Sequence, residues 1–493
     1  MAEKVKGLAE LGLTAKGGRD ARVTGLAVDS REVKEGYLFA AMPGTQVHGA
    51  KFIRTALDLG ASAILTDVEG AKLAQSALDT SDAALIIAED PREALAFTAA
   101  LWFGAQPECV VAVTGTNGKT SVSTFTRMLW QALGVPAVNL GTTGVEGDWY
   151  MPLKHTTPEP ITLHRALYGA AAEGIDHVAM EASSHGLAQK RLDGVQLTAA
   201  AFTNFSQDHL DYHETFDDYF AAKAGLFARV LPEDGTAVIN IDDPRGIDML
   251  ALARARAQDV ITVGRESADI RLEAQRFDAT GQDVRINYKG IIRQERLNLI
   301  GGFQAENVLL ATGLAIACGT DAELLFDAYP RLGTVRGRME LAATRANGAT
   351  VFVDYAHTPD AVETAICALR PHVMGRLVAV VGAGGDRDMG KRPLMGQAAT
   401  THADMVIVTD DNPRSEDPAT IRAAVMEGAP EAIEVGDRAE AILRGVDLLA
   451  PGDALLICGK GHETGQTIGD TVYPFDDVEQ ASVAVSALDG GRL

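Results

Sequence analysis

The chain has 493 residues, more than one hydrophobic core organises, and its length predicts about three domains. With 67 acidic against 44 basic residues, the formal net charge of -23 argues against nucleic acid or an anionic membrane as partner, while an anionic small molecule needs only local basic groups. The opening MAEKVKGLAE is too charged for a signal peptide, and no apolar run reaches the roughly 18 residues that span a bilayer.

In chain order, residues 1–106 hold short strands, YLFAAM, SAILTD and ALIIAED, followed by the helical PREALAFTAALWFG; Gln106-Pro107 reads as a linker. From 107 to 334, the strand-like VVAVTG, DHVAMEASS, AAAFTNFS and TAVINIDD alternate with helical runs, the rhythm of a mostly parallel sheet whose ligands gather at the strand C-terminal ends. After GTVRGRME the rhythm restarts with FVDYAH, LVAVVGAGG, DMVIVTDDNPR and ALLICGKGHE. The expected fold is therefore α/β in three domains: a small N-terminal α/β domain (1–106), a central P-loop-type domain (107–334) and a C-terminal Rossmann-like domain (335–493). Cys109, Cys318, Cys367 and Cys458 stand far apart with no metal-type pair, and read as reduced thiols of a cytoplasmic protein.

The run VVAVTGTNGKTS (110–121) is a β-branched strand, a Gly-rich turn and a helix start. Gly115 to Ser121, with Thr116 and Asn117 between, let backbone N–H groups and a helix N-terminus converge on phosphate oxygens. Lys119 then reaches the terminal phosphates and the Thr120 hydroxyl ligates Mg²⁺. A general P-loop has Gly five residues before Gly118, where this chain has Val113. Behind the loop, Val122, Phe125, Leu129, Ala132 and Leu133 recur at helical spacing until Gly134 closes the run.

Glu181 ends an apolar strand and is placed either to hold a metal at the cradle or to act as a helix-capping or surface acid. DHLDYH (208–213) packs His209, Asp211 and His213 into a segment that suits a divalent metal, magnesium before zinc, or a solvated polar turn. Asp354 and His357 in DYAHTPD end a later strand, as a site or as a hydrogen-bonded turn. Lys223, in FAAKAGLF, reads from its spacing as a helix-surface lysine. DNPR (411–414) is open to reading as a Pro-directed turn with Arg414 solvated.

Taken together, GTNGKT, MEASSHGL, TNFSQDHLDYH with Lys223 downstream, the stretch to Asn307, GRME, DYAHTPD, GGDRDMGKRPLMG, DNPR and GKGHE resemble, in order and over nearly the whole chain, the Mur ligase family of ATP-dependent amino-acid ligases in peptidoglycan precursor synthesis. DNPR and the GGDRD loop narrow the resemblance to members that add meso-diaminopimelate to UDP-N-acetylmuramoyl-L-alanyl-D-glutamate. The resemblance implies ATP held by Gly115–Ser121, Asn307, Arg338, Asp354 and His357. It implies one Mg²⁺ on Thr120 and Glu181, and a second on His209 and a Lys223 carbamylated by CO₂, which turns a cation into an anionic oxygen ligand. Lys119, Glu181, His209 and Lys223 would be catalytic.

The UDP-muramoyl substrate would lie along Val28, Ser30, Thr45, Gln46 and Val47, then Thr156, Thr157, Ser183, Gln189 and Arg191; His155 stands where a relative can carry Asn, which leaves its role open. Arg387, Asp411, Asn412, Pro413, Arg414, Gly459 and Glu463 would hold the diamino acid. The family's chemistry implies an acyl phosphate attacked by a neutral amine, with His357 and Glu463 both open as its base. The expected partners are these small molecules, with no nucleic acid or membrane insertion, and a monomer. An L-lysine-adding or folylpolyglutamate-type ligase is opposed by DNPR and by DSR (29–31). A nucleotide-driven switch separates from a ligase by whether ATP turnover needs both co-substrates, and a non-catalytic homologue is opposed by Lys119, Glu181, His209 and Lys223 together.

Overall fold

The computed structural model describes residues 4–44, 47–206 and 212–490. Among these, three principal sheets follow one another along the chain. The first is a four-stranded parallel sheet of Gly25–Ala27, Tyr37–Ala40, Ala63–Thr66 and Ala84–Ile87 in sequential order. The second has ten strands, and in it Cys109–Thr114 lies between His177–Glu181 and Ala199–Phe202, parallel to both. The third has six, with Thr350–Asp354, Ala454–Cys458, Leu377–Val381 and Met405–Val408 as parallel neighbours.

The central sheet is buried on both faces by period-two alternation: Val111 and Val113 pack with Phe125, Leu129, Val308 and Leu314, while Val110 and Ala112 pack with Leu163, Leu167 and Phe227. From Cys109–Thr114 the chain crosses one way to Ala137–Gly141, fills the gap with His177–Glu181, then turns the other way to Ala199–Phe202. That reversal opens a crevice at the strand C-terminal ends, where a ligand fits between diverging connections. Many helices start on a capping residue followed by proline: Asp90 before Pro91, Glu159 before Pro160, Asp243 before Pro244 and Thr358 before Pro359. The cap oxygen takes orphan N–H groups while proline supplies the helical φ, so each helix begins sharply behind its strand.

Antiparallel additions close the sheet edges. Ile270–Asp278, Gly281–Tyr288 and Ile291–Leu297 extend the central sheet, and the hairpin Gly465–Ile468 with Thr471–Pro474 stands apart from the six-stranded sheet. The cysteine expectation needs correction. Cys109, opening the P-loop strand, is disulfide-bonded to Cys318, which follows the helix Phe303–Ala317, with Cα atoms 6.4 Å apart. A separation of 209 residues hides a pair that helix-on-sheet packing brings together; Cys367 and Cys458 are free thiols. Among the described residues no helix is long and apolar enough to cross a membrane.

Candidate functional site

The strand Cys109–Thr114 runs into Gly115, whose φ of 145° no side chain tolerates well and where a Cβ would collide with Thr203 Oγ1. Gly118, at φ 88°, sits just ahead of the helix Lys119–Ala132, and a Cβ there would lie 2.7 Å from Asn307 Oδ1. The loop is held from outside: Asn204 Oδ1 accepts from the Asn117 N–H at 2.8 Å, and Thr116 Oγ1 lies 3.2 Å from the Tyr219 hydroxyl. Lys119 curls back over the loop and donates to the carbonyls of Gly115 and Thr116 at 3.0 and 2.7 Å.

Thr120 donates its hydroxyl to Glu181 Oε2 at 3.0 Å. The other oxygen of Glu181 accepts the Thr142 N–H at 2.8 Å, and its backbone carbonyl takes the Thr157 hydroxyl at 2.9 Å. Glu181 is 2 % exposed, which excludes a surface acid, and its carboxylate accepts from Thr120 and Thr142 while Ser183 caps the helix that follows. A hydroxyl and a buried carboxylate beside a phosphate loop are the hard oxygen donors that Mg²⁺ takes, so this pair fits the ion. From the same network, Thr142 Oγ1 meets Thr156 Oγ1 at 3.0 Å, Thr157 Oγ1 accepts the Ser183 N–H at 3.0 Å, and Ser183 caps the helix Ser184–Ala188. Arg191 donates to the Thr157 carbonyl and to Gln189 Oε1, which brings the candidate muramoyl-side residues into one chain of contacts.

The six-stranded sheet faces this cradle. Arg338 donates to Thr120 Oγ1 at 3.3 Å with its guanidinium carbon 4.5 Å from the Tyr355 ring centre. Asp354 accepts the N–H groups of Met339 and Ala356 at 2.7 and 2.9 Å, so the turn alternative is also true of it; burial pushes its carboxyl above the ordinary value, against the pull of Arg338. His357 Nδ1 pairs with the Tyr355 carbonyl at 2.8 Å. Missed by sequence reading is His462, whose ring lies 5.0 Å from that of Tyr355; burial first, then the cations Arg338 and Arg336, push it down to about 4. Its place in GKGHE, directly after a strand, was the available signal.

Between the two sheets lies a cleft of about 490 Å³. Thr116 to Ser121, Glu181, Thr156, Ser183, Asn307, Arg338, Asp354 and His357 all line it. Asn240, Asp243, Phe303 and Glu306 line it as well and carried no motif in the sequence. Val28, Ser30 and Val47 stay with the N-terminal sheet and are not among the lining residues, while Thr45, Gln46 and His209 lie outside the described residues. In DSR, Asp29 is spent on Arg31: the guanidinium and backbone N–H of Arg31 hold its carboxyl down to about 2.

Lys223 is not on a helix surface, as spacing suggested. It is 1 % exposed, donates to the Gly115 carbonyl at 2.7 Å and lies 4.3 Å from the Tyr219 ring centre. Its helix packs its lysine face, not its acidic face, toward the P-loop.

The residues expected to hold the diamino acid gather on the last sheet. Arg414 is half-buried and donates to the Gly385 carbonyl at 2.7 Å, which removes the solvated-turn alternative. Arg387 is exposed nearby, and a Cβ on Gly384 would lie 2.8 Å from Arg414 Nη1 and 3.8 Å from Arg387 Cγ. Asn412 donates to Glu463 Oε2 at 2.8 Å and accepts from the wholly buried Lys460 at 3.2 Å. Asp411 is turned onto the Asn412 N–H, and Gly459 is packed so closely that a Cβ would strike the Asp411 carboxylate. Pro413 carries the chain from Asn412 into Arg414, and its carbonyl accepts the Glu416 N–H at 3.1 Å.

The family models described as "Mur ligase family, catalytic domain", "Mur ligase middle domain" and "Mur ligase, glutamate ligase domain" match residues 22–102, 113–315 and 337–461. A UDP-N-acetylmuramoyl-L-alanyl-D-glutamate--2,6-diaminopimelate ligase of Bradyrhizobium diazoefficiens is 48% identical over 472 residues, 94% of this chain and 95% of that one. The ligase of the same description from Agrobacterium fabrum is 44% identical over 96% of this chain and 95% of its own. A solved structure of a UDP-N-acetylmuramoyl-L-alanyl-D-glutamate--2,6-diaminopimelate ligase superposes with a TM-score of 0.70 at 33% identity, covering 98% of this chain and 99% of the other. A folylpolyglutamate synthase from Mycobacterium tuberculosis shares the fold, with a TM-score of 0.63 at 20% identity and 82% of this chain covered.

Proposed function

Since the chain belongs to the Mur ligase family, we propose that its cleft couples ATP cleavage to amide-bond formation, adding meso-diaminopimelate to the D-Glu γ-carboxylate of UDP-N-acetylmuramoyl-L-alanyl-D-glutamate in peptidoglycan synthesis. The observation that carries this reading is that one cleft is lined both by the P-loop of the central sheet and by Arg338, Asp354 and His357 of the last. A carboxylate is a poor electrophile, so it first attacks the γ-phosphorus of ATP; ADP leaves and an acyl phosphate remains. Two anions meet in that step. Lys119, turned from the loop carbonyls onto the phosphates, and Arg338 offset that charge electrostatically.

Mg²⁺ on Thr120 and Glu181, with a second ion on His209 and a carbamylated Lys223, supplies further electrostatic stabilisation of the phosphoryl oxygens when bound. The diaminopimelate amine then attacks the acyl carbon and phosphate departs. The amine must first lose a proton, since an exposed amine is charged at pH 7. Glu463, whose Oε2 accepts from Asn412 and Lys460, and His357, whose Nδ1 pairs with the Tyr355 carbonyl, are the two groups proposed to take that proton.

Val28, Ser30, Thr45, Gln46 and Val47 take the uridine end of the substrate, and Thr156, Thr157, Ser183, Gln189 and Arg191 lead its peptide toward the cradle. Arg387 and Arg414 take the far carboxylate of the diamino acid. The P-loop, Arg338, Asp354 and His357 that line the cleft all come from one chain, in keeping with a monomer, and a nucleotide-activated substrate with ATP is in keeping with the cytoplasm. The test is a product assay by mass spectrometry with a panel of diamino acids. ADP release that depends on both the UDP-muramoyl dipeptide and meso-diaminopimelate is the expected result; ATP turnover without them refutes a ligase.

A further inference from the structure

Two residues beside the expected diamino-acid pocket, Asp386 and Arg414, have left-handed backbones at φ 53° and 52° without being glycine. Such a conformation persists only where surrounding contacts over-determine it. Arg414 is held by the hairpin, its N–H on the Thr467 carbonyl at 3.0 Å and its carbonyl on the Gly469 N–H at 2.7 Å, whereas Asp386 is held by Glu416. Glu416 Oε1 accepts the Asp386 N–H at 2.5 Å and the Arg392 guanidinium at 2.8 Å. Arg392 is wholly buried, and Glu416 is its ion-pair partner.

Asp386 in turn holds the other segment, its carboxylate accepting the Ser415 hydroxyl at 2.6 Å and the Ser415 N–H at 3.2 Å. The loop carrying Arg387 and the turn carrying Arg414 are thereby laced together on either side of Gly384 and Gly385. Neither Glu416 nor Arg392 lines the cleft.

We propose that Glu416 is a positioning residue for amine selection: by bonding the Asp386 N–H and the buried Arg392 through one oxygen, it fixes the spacing of the Arg387 and Arg414 guanidinium groups. The inference rests on the reading that these two arginines hold the far carboxylate of the diamino acid. A bidentate clamp tolerates little displacement, so loosening the loop weakens capture of that carboxylate while leaving phosphoryl transfer on the central sheet intact.

The test is steady-state kinetics of the full-length enzyme with meso-diaminopimelate, ATP and the UDP-muramoyl dipeptide each varied in turn. Glu416→Ala is expected to raise KM for diaminopimelate about tenfold or more, with kcat and the other two KM values within about threefold. Glu416→Gln keeps an oxygen that can accept both bonds and is expected to stay within about threefold of the unmodified enzyme. Should Glu416→Ala fail to fold because it strands a buried cation, the double variant Arg392→Met/Glu416→Ala removes both charges and carries the same expectation. An unchanged diaminopimelate KM in the folded alanine or double variant, while Arg414→Ala raises it, overturns the role of Glu416 alone. An unchanged KM in Arg414→Ala overturns the reading beneath it. A rise of all three KM values together, or a glutamine variant as weak as alanine, also overturns the proposal, since either marks a general structural role.

Discussion

Lys223 donates to the carbonyl of Gly115 across 2.7 Å, so a helix 108 residues downstream is tied to the first turn of the P-loop. A carbamate nitrogen retains one N–H and can keep that bond while its oxygens turn to a metal. On this basis Lys223→Ala is expected to lose activity by roughly a hundredfold or more, the scale of one preorganised charge at a phosphoryl site. An added short carboxylate is expected to restore part of it by filling the vacated space. Lys223→Arg stays inactive, because a guanidinium cannot become an anionic ligand. Ligation rates with and without added acetate decide the matter, and full activity of the arginine variant excludes the carbamate.

Lys119 lies against the carbonyls of its own loop and bears no part of the hydrophobic core, so Lys119→Ala should fold normally. Removing the cation that steadies the transferring phosphoryl group is expected to cost on the order of 3 kcal/mol in the transition state, roughly a hundredfold in rate. The measurement is single-turnover ADP formation by a variant whose circular dichroism matches the parent. Parental rates would dissociate the P-loop from the chemistry.

If Arg414 holds the far carboxylate as proposed, amine choice follows from it. Meso-diaminopimelate is lysine with a second carboxylate at the far end, and lysine would leave a half-buried guanidinium without its counter-ion. That mismatch costs several kcal/mol and corresponds to discrimination of about 10⁴-fold. Arg414→Ala is expected to raise KM for diaminopimelate sharply and to change lysine use little. Competition between the two amines, scored by product mass, is the check; comparable kcat/KM for both in the unmodified enzyme would sink the specificity.

His164, on the helix Pro160–Ala172, is 1 % exposed, and neither ring nitrogen has a hydrogen-bond partner among the described residues. Burial alone pushes it down to about 4 from the ordinary 6.5. The unfolded chain therefore takes up a proton before the folded one does, and stability is lost as pH falls from about 6.5 toward about 4, then levels off. At pH 5 the loss from this one ring is roughly 2 kcal/mol. His164→Phe should flatten the fall in melting temperature between pH 7 and pH 5, read by calorimetry; an unaltered acid slope would locate the proton uptake elsewhere.

What the sequence disclosed followed from local rules. The P-loop strand and its helix were legible because Val110 to Val113 and then Val122, Phe125 and Leu129 change period from two to three or four at Gly115 to Gly118. Asp354 and Arg414 stood out because polar residues crowd where apolar strands end. Lys223 did not, since which face of a helix is buried depends on what packs against it. The Cys109–Cys318 pair and the lining residue Phe303 were hidden for the same reason, since both depend on the helix Phe303–Ala317 settling on the central sheet, while Asn240 and Asp243 were hidden because they meet Thr203 and Phe205 only across neighbouring strand ends.

Arg387, Asn412, Arg414, Lys460 and Glu463 all rise from the last sheet and its loops, whereas Lys119, Thr120 and Glu181 rise from the central one, and the two sheets have separate hydrophobic cores. The loops around Gly384 and Gly459 can therefore change without touching Lys119, Thr120 or Glu181, whereas Arg338, Asp354 and His357 tie the last sheet to the cradle. If those loops choose the amine as proposed, a lineage can drift toward a different amine while selection holds the nucleotide cradle still, but a crossover just ahead of Arg338 would exchange Arg338, Asp354 and His357 along with the amine pocket and so has to match them to a foreign P-loop.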